Sequence, residues 1–232
     1  MPKLHPKLRN SLGMLPEDKP VSLLTRHSIR EKADQAVVSY RAPLTKEGID
    51  LARQWGSEFK KPIVDIYSSP VGRCVETANA LLEGAKPSIR TDSNLVMPPN
   101  QIDVKTSLIL VEPGCFVQDI NIAGPEFLKT GPVDFFNRHI NESIEGVLSP
   151  NEGSKNLLDY LQNSQSHPGS LVVHVTHDTI LAAFIYYLLG AKKIDDDLWP
   201  WMMEGTFLWF DDDHVHFIWR GHRHSREWAS IV

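Results

Sequence analysis

Two histidines sit beside charged residues just where apolar runs stop. In the first, Leu23-Leu24-Thr25 leads into Arg26-His27-Ser28-Ile29-Arg30; in the second, Leu171-Val172-Val173-His174-Val175-Thr176 leads into His177-Asp178. A neutral imidazole is a nucleophile, guanidinium groups match phosphoryl oxygens bidentately, and a carboxyl group can move a proton to a leaving oxygen. Arg73 adds a further guanidinium on the first turn of a predicted helix, where backbone N–H groups already favour an anion. Phosphoryl transfer through a histidine needs these groups: positive charge around the equatorial oxygens, a covalent intermediate, and an acid that later serves as a base. Because the arginines supply the charge, the constellation calls for neither a metal nor another cofactor.

For these groups to meet, the runs carrying them must be strands that end at one edge of one sheet. Residues 21–25 read as a short buried parallel strand. Thr45 can cap a helix in which Ile49, Leu51, Ala52, Trp55 and Phe59 recur at helical spacing, with Pro62 ending it. A second strand over 63–67 leads into Ser68-Ser69-Pro70 and a helix carrying Val71, Val75, Ala78, Leu81 and Leu82, which Gly84 is expected to stop. A third strand is expected over 107–111, helices over 133–144 and 156–161, a fourth strand over 171–176, and an apolar helix over 179–189. Strands over 206–210 and 214–219 are joined by a turn at Asp211-Asp212-Asp213. Strands alternating with helices imply an α/β fold with a mostly parallel central sheet covered by helices on both faces. The open carboxyl edge of such a sheet is where ligands bind. The expected organisation is a single domain over 1–232, with an N-terminal arm over 1–20 and an irregular substrate region over about 91–150.

Bulk properties narrow the partners. The 232 residues are 41% hydrophobic and 23% charged, ordinary for a globular chain. A net charge of −5 speaks against a nucleic-acid surface, so local arginine clusters are aimed at a small anion. Cys74 and Cys115 are too few for a disulfide framework or a cysteine zinc site, and are expected to be reduced thiols. The start, Met1-Pro2-Lys3-Leu4-His5-Pro6, lacks the apolar core of a signal peptide, and no run approaches the length of a membrane span. A cytoplasmic protein with a small phosphorylated substrate and no nucleic-acid or membrane partner is the expectation; the oligomeric state leaves no signature.

Four fragments in order carry a family resemblance: Arg26-His27-Ser28-Ile29-Arg30, Pro43-Leu44-Thr45-Lys46-Glu47-Gly48, Ser68-Ser69-Pro70-Val71-Gly72-Arg73-Cys74-Val75-Glu76-Thr77-Ala78, and His177-Asp178. Together they resemble the histidine phosphatase superfamily, which includes phosphoglycerate mutases and histidine acid phosphatases. The resemblance implies a phosphoglycerate mutase-like fold, phosphorylation of His27, and a phosphate pocket of Arg26, Arg73 and His177. The helix after Ser68 is similar to the mutase-like branch, whereas the Arg-His-x-x-Arg spacing and the His-Asp pair look like the acid phosphatases. The branches take their proton donor from different places: the aspartate after the second histidine, here Asp178, or a glutamate beyond the third strand, here Glu112. Asp178 is the preferred donor, and Arg30 then joins the pocket. Ser28 stands where the family has glycine. A metal-independent phosphatase acting on a phosphomonoester is the expected function; the alternatives are a mutase-like phosphotransferase or a non-catalytic phosphate-binding scaffold.

Other features have plainer readings. Arg223-His224-Ser225-Arg226 repeats the letters of the first motif but is expected to be a solvated tail. His214, His216, His222 and His224 invite a metal-site reading, yet no convincing acidic or cysteine ligand accompanies them. Asp195-Asp196-Asp197 reads as a loop, and Trp199-Pro200-Trp201-Met202-Met203 as core, with an apolar rim or a cover over a substrate or partner as the alternatives.

Overall fold

The computed structural model describes residues 4–32, 41–85, 102–112, 114–165 and 167–231. Part of the expected substrate region, over 91–101, lies outside them. Among the described residues, seven strands form one sheet: β1 (Val21–Arg26), β2 (Ile63–Ser68), β3 (Lys105–Thr106), β4 (Leu171–Thr176), β5 (Gly205–Phe210), β6 (His214–Trp219) and β7 (His222–Glu227), in the order β3-β2-β4-β1-β5-β6-β7. The sheet is mixed. The half from β3 to β1 is parallel, and β1 then meets β5, β6 and β7 in antiparallel succession. The fragments holding His27, Ser68-Ser69-Pro70 and His177 all leave strands of the parallel half.

Successive residues of a strand point to opposite faces, so a strand buried on both sides reads as a continuous apolar run. Leu23 and Leu24 are both fully buried, in different cores. Leu23 joins Val173, Ile66 and Phe207 beneath α1 (Lys46–Ser57) and α2 (Gly72–Ala85). Leu24 joins Leu208 beneath α5 (Pro150–Ser164) and α6 (Asp178–Leu188). Thr45 caps α1 by accepting from the Gly48 N–H at 3.0 Å.

Several expectations need correction. Gly84 does not stop α2, which runs through it to Ala85; a Cβ there would lie 1.8 Å from the Arg53 carbonyl oxygen, so glycine permits close approach of α1. The third strand is only two residues long, and most of 107–111 is a 3-10 turn, Leu108–Leu110. The region beyond it holds α3 (Ile120–Thr130) before α4 (Pro132–Asn141). Gly124-Pro125 disguises α3, because proline inside a helix lacks a donor and reads as a breaker. The N-terminal arm is anchored, with Leu4 and Leu8 buried against the α1–α2 side of the sheet. Residues 223–226 are not a solvated tail: they belong to edge strand β7. No helix of the described residues is long and apolar enough to cross a membrane.

Candidate active site

The site forms where β1, β2 and β4 end together. Arg26 pairs with Thr176 in the parallel β1–β4 register, so His27 and His177 leave the sheet side by side. The His27 N–H still donates to the Thr176 carbonyl at 2.9 Å, and the Ser69 N–H to the Val175 carbonyl at 2.9 Å. These bonds tie the three strand exits into one platform. The two imidazoles then stand edge to face, ring centres 5.7 Å apart.

The loop after β1 is held from three sides. The Ser28 hydroxyl donates to the Gly48 carbonyl at 2.6 Å, and the Ser28 N–H donates to the Thr77 hydroxyl at 3.0 Å. A Cβ on Gly48 would stand 2.2 Å from the Ile29 carbonyl oxygen, which explains glycine in the second fragment. Glu76 accepts from the Leu44 N–H at 2.8 Å and so ties the second fragment to α2. The serine that replaces the family's glycine is thus fully buried and bonded to the α1 backbone.

Hydrogen bonds define the histidine tautomers. His27 Nδ1 lies 2.7 Å from the Ser28 carbonyl oxygen, which can only accept, so Nδ1 carries the proton. Nε2 is left with its lone pair, facing the Arg73 Nε–H at 2.9 Å. Arg73 Nη2 donates to His177 Nδ1 at 3.0 Å, and His177 Nε2–H donates to the Ser69 hydroxyl at 2.9 Å. Burial, followed by the Arg26 charge, pushes the His27 pKa down to about 3; burial and Arg73 do the same for His177. Both rings are neutral at physiological pH, and His27 presents a nucleophilic nitrogen to a guanidinium. Arg73 is itself buried, and Arg30 is near enough to lower its pKa further. Arg30 is half-buried and donates to the Glu31 carbonyl at 3.1 Å. Cys74 Sγ lies 3.7 Å from His177 Nε2, but burial pushes the thiol up to about 12 and keeps it protonated.

The two carboxyls differ sharply. Asp178 Oδ2 receives Arg26 Nη2 at 2.6 Å and the Trp199 indole N–H at 3.1 Å, while Oδ1 accepts from the Thr179 N–H at 3.1 Å. Burial would raise its pKa, but Arg26 and the indole outweigh burial and hold it at about 2. Glu112 Oε2 stands 4.0 Å from His177 Nδ1. Burial, and then the Asp178 charge, push its pKa up to about 7.

The structure therefore brings Arg26, His27, Arg73, His177, Asp178 and Glu112 together, with Arg30 at the margin. Sequence reasoning assigned Ser69 no role in the site, and it offered the 199–203 segment as a cover over substrate rather than as the partner of Arg26 and Asp178. Arg26 Nη1 donates to the Pro200 carbonyl at 2.5 Å, and the Met203 N–H to the His27 carbonyl at 3.2 Å. Met203 adopts a left-handed conformation, φ 63°, to make that contact. The aromatic-proline composition of 199–203 was the available signal. His216 bonds Asp211 at 2.8 Å and stacks on Trp209, and no group of three or more His, Cys, Asp or Glu among the described residues could hold a metal.

The fold is phosphoglycerate mutase-like. Residues 23–96 match the family model described as histidine phosphatase superfamily (branch 1). A search of curated protein sequences found no match. Among solved structures, the chain is similar to a phosphoglycerate mutase from Bacillus anthracis, at 18% identity over 91% of this chain and 94% of that one, TM-score 0.50. It is also similar to a protein titled mycobacterial hydrolase 2, at 14% identity over 92% and 95%, TM-score 0.54. A phosphoserine phosphatase variant from Entamoeba histolytica in complex with phosphoserine aligns at 18% identity over 91% and 97%, TM-score 0.50. At these identities the likeness is one of fold.

Proposed function

We propose that the protein is a phosphatase that hydrolyses a phosphomonoester through a phosphohistidine on His27. The observation that carries this reading is the tautomer: Nδ1–H is committed to the Ser28 carbonyl, which leaves the Nε2 lone pair at the centre of the arginine cluster. Arg26, Arg73 and His177 hold the phosphoryl oxygens, with Arg30 adding charge at the edge. His27 Nε2 attacks phosphorus and the bond to the leaving oxygen breaks; that oxygen takes a proton from Glu112. Water then attacks phosphorus, the Glu112 carboxylate takes the water's proton, and the P–N bond breaks. Inorganic phosphate leaves with His27 restored.

Glu112 replaces Asp178 as the preferred donor in this reading. A carboxyl with a pKa of about 7 still holds its proton near neutrality, whereas one at about 2 has already lost it. Asp178 instead orients Arg26 through their 2.6 Å ion pair. The test is hydrolysis of an aryl phosphate in EDTA by the wild type and His27→Ala, with rapid quenching to trap phosphohistidine. EDTA-resistant turnover lost in the variant supports the reading. Transfer to an added sugar acid in preference to water would make the protein a mutase, and phosphate binding without labelling of His27 would leave a binding module.

A further inference from the structure

Glu112 lies on a boundary. On one side stands His177; on the other opens a narrow cleft that begins at Glu112 and Thr179 and is walled by Phe116, Phe127, Phe135 and Phe136. The cleft runs beneath α3 and is almost wholly apolar. His139, its one imidazole, commits its Nε2 to the Leu148 carbonyl at 2.8 Å. Ile120, half exposed, carries the apolar lining out to solvent.

We infer that this cleft is the leaving-group subsite, and that the substrate is a phosphomonoester of an apolar alcohol or phenol. The inference rests on the proposed function and deepens it. The acid that protonates a leaving oxygen must touch that oxygen, so the carbon substituent projects past Glu112, away from the arginines. In that direction lie aromatic walls and no charged side chain besides Glu112 among the described lining residues. A sugar acid or nucleotide would bring hydroxyls, carboxylates or further phosphates into a wall that cannot pair them, a heavy desolvation cost. An alkyl or aryl group gains by the same burial. The site thus divides its labour: arginines bind the phosphoryl group and discriminate little, while the cleft selects the alcohol.

The decisive experiment compares binding of hexylphosphonate and methylphosphonate, which present one anionic headgroup with different tails. The wild type is expected to bind hexylphosphonate about 30-fold more tightly, the effect of burying two to three methylene groups. Gly124→Leu fills the cleft from α3; the added Cβ meets only Ile120 Cδ1 at 3.5 Å, ordinary contact, so the helix is expected to keep its fold. That variant should bind hexylphosphonate about 10-fold more weakly and methylphosphonate within about twofold of wild type. Ile120→Asn, at a position exposed to solvent, should weaken the hexyl ligand alone by a smaller factor. Equal binding of both phosphonates by the wild type, or equal loss of both in Gly124→Leu, overturns the subsite. A parallel turnover assay with ethyl and hexyl phosphate, whose leaving groups are of similar acidity, tests the enzyme reading separately. Tight hexylphosphonate binding with no phosphohistidine would keep the subsite and discard the hydrolase. Turnover of both esters at equal kcat/KM would do the reverse.

Discussion

Arg-His-Ser occurs twice in this chain, and the two copies have opposite fates. Arg26-His27-Ser28 leaves the end of an interior strand, where His27 and Ser28 are buried and bonded on every side. Arg223-His224-Ser225 lies along edge strand β7. There His224 stacks on Phe217 with ring centres 5.0 Å apart, and Arg223 lies over the Trp209 ring at 4.7 Å. The same letters therefore join a buried cluster of histidines and arginines in one place and cover core aromatics, Phe217 and Trp209, in the other. The difference lies in the neighbours. A strand end inside a parallel sheet gathers groups from several chain segments, while an edge strand meets one partner and water.

The comparison can be broken most forcefully by exchanging the histidines' fates. His27→Ala is expected to lower kcat by about 10³-fold or more, because no other nucleophile stands at the phosphoryl position. His224→Ala should leave kcat within about twofold. Comparable losses in both variants would end the distinction.

The carboxyls sharpen it next. Glu112→Gln should cost about 10²- to 10³-fold in kcat and should abolish the fall in kcat/KM expected as pH rises through about 7. If Asp178, whose carboxyl ionises near 2, were the donor, the limb near 7 would not depend on donor ionisation and Glu112→Gln would leave kcat within a few-fold. Asp178→Asn should act mainly on KM, by loosening Arg26.

A stability comparison follows. Ser28→Ala removes a buried 2.6 Å bond to the Gly48 carbonyl and should destabilise by about 1–3 kcal/mol in thermal unfolding. Ser225→Ala, on the exposed edge, should change stability by less than about 0.5 kcal/mol.

The last comparison is a slope against pH, with no effect at neutrality. His174 is fully buried on β4, stacked on Tyr67 with ring centres 5.3 Å apart, and burial lowers its pKa to about 3. Its folded form stays neutral while the unfolded chain takes up a proton below about 6.5. The stability it contributes is therefore complete above that pH and is lost as pH falls toward 3, at up to about 1.4 kcal/mol per pH unit. His174→Phe should reduce the slope between pH 6 and 4, as measured by urea unfolding, and leave the part that buried His27 and His177 contribute.

What was legible in the sequence was whatever depends on local pattern. The apolar runs over 21–25 and 171–176, the Thr45 cap and the turn at 211–213 all have short-range causes. Strand ends carrying His27 and His177 could be placed together because parallel strands share one open edge. What failed had distant causes. Gly84 reads as a stop until the Arg53 backbone is seen against it, and Pro125 hides a helix that packing sustains. The partners of Asp178, Arg26 and an indole reaching from residue 199, likewise come from distant segments that no spacing rule encodes.

The order of strands has a consequence for how the molecule comes into being. β1 and β2 are not neighbours: β4, made about a hundred residues later, lies between them and pairs with both. The segment 23–96, which holds the most recognisable fragments, therefore has no sheet of its own to form. Excised, it would lack the strand that joins its two halves. During synthesis, β1 and β2 gain their shared neighbour only once β4 has emerged, so the strand ends that carry His27 and His177 come together late.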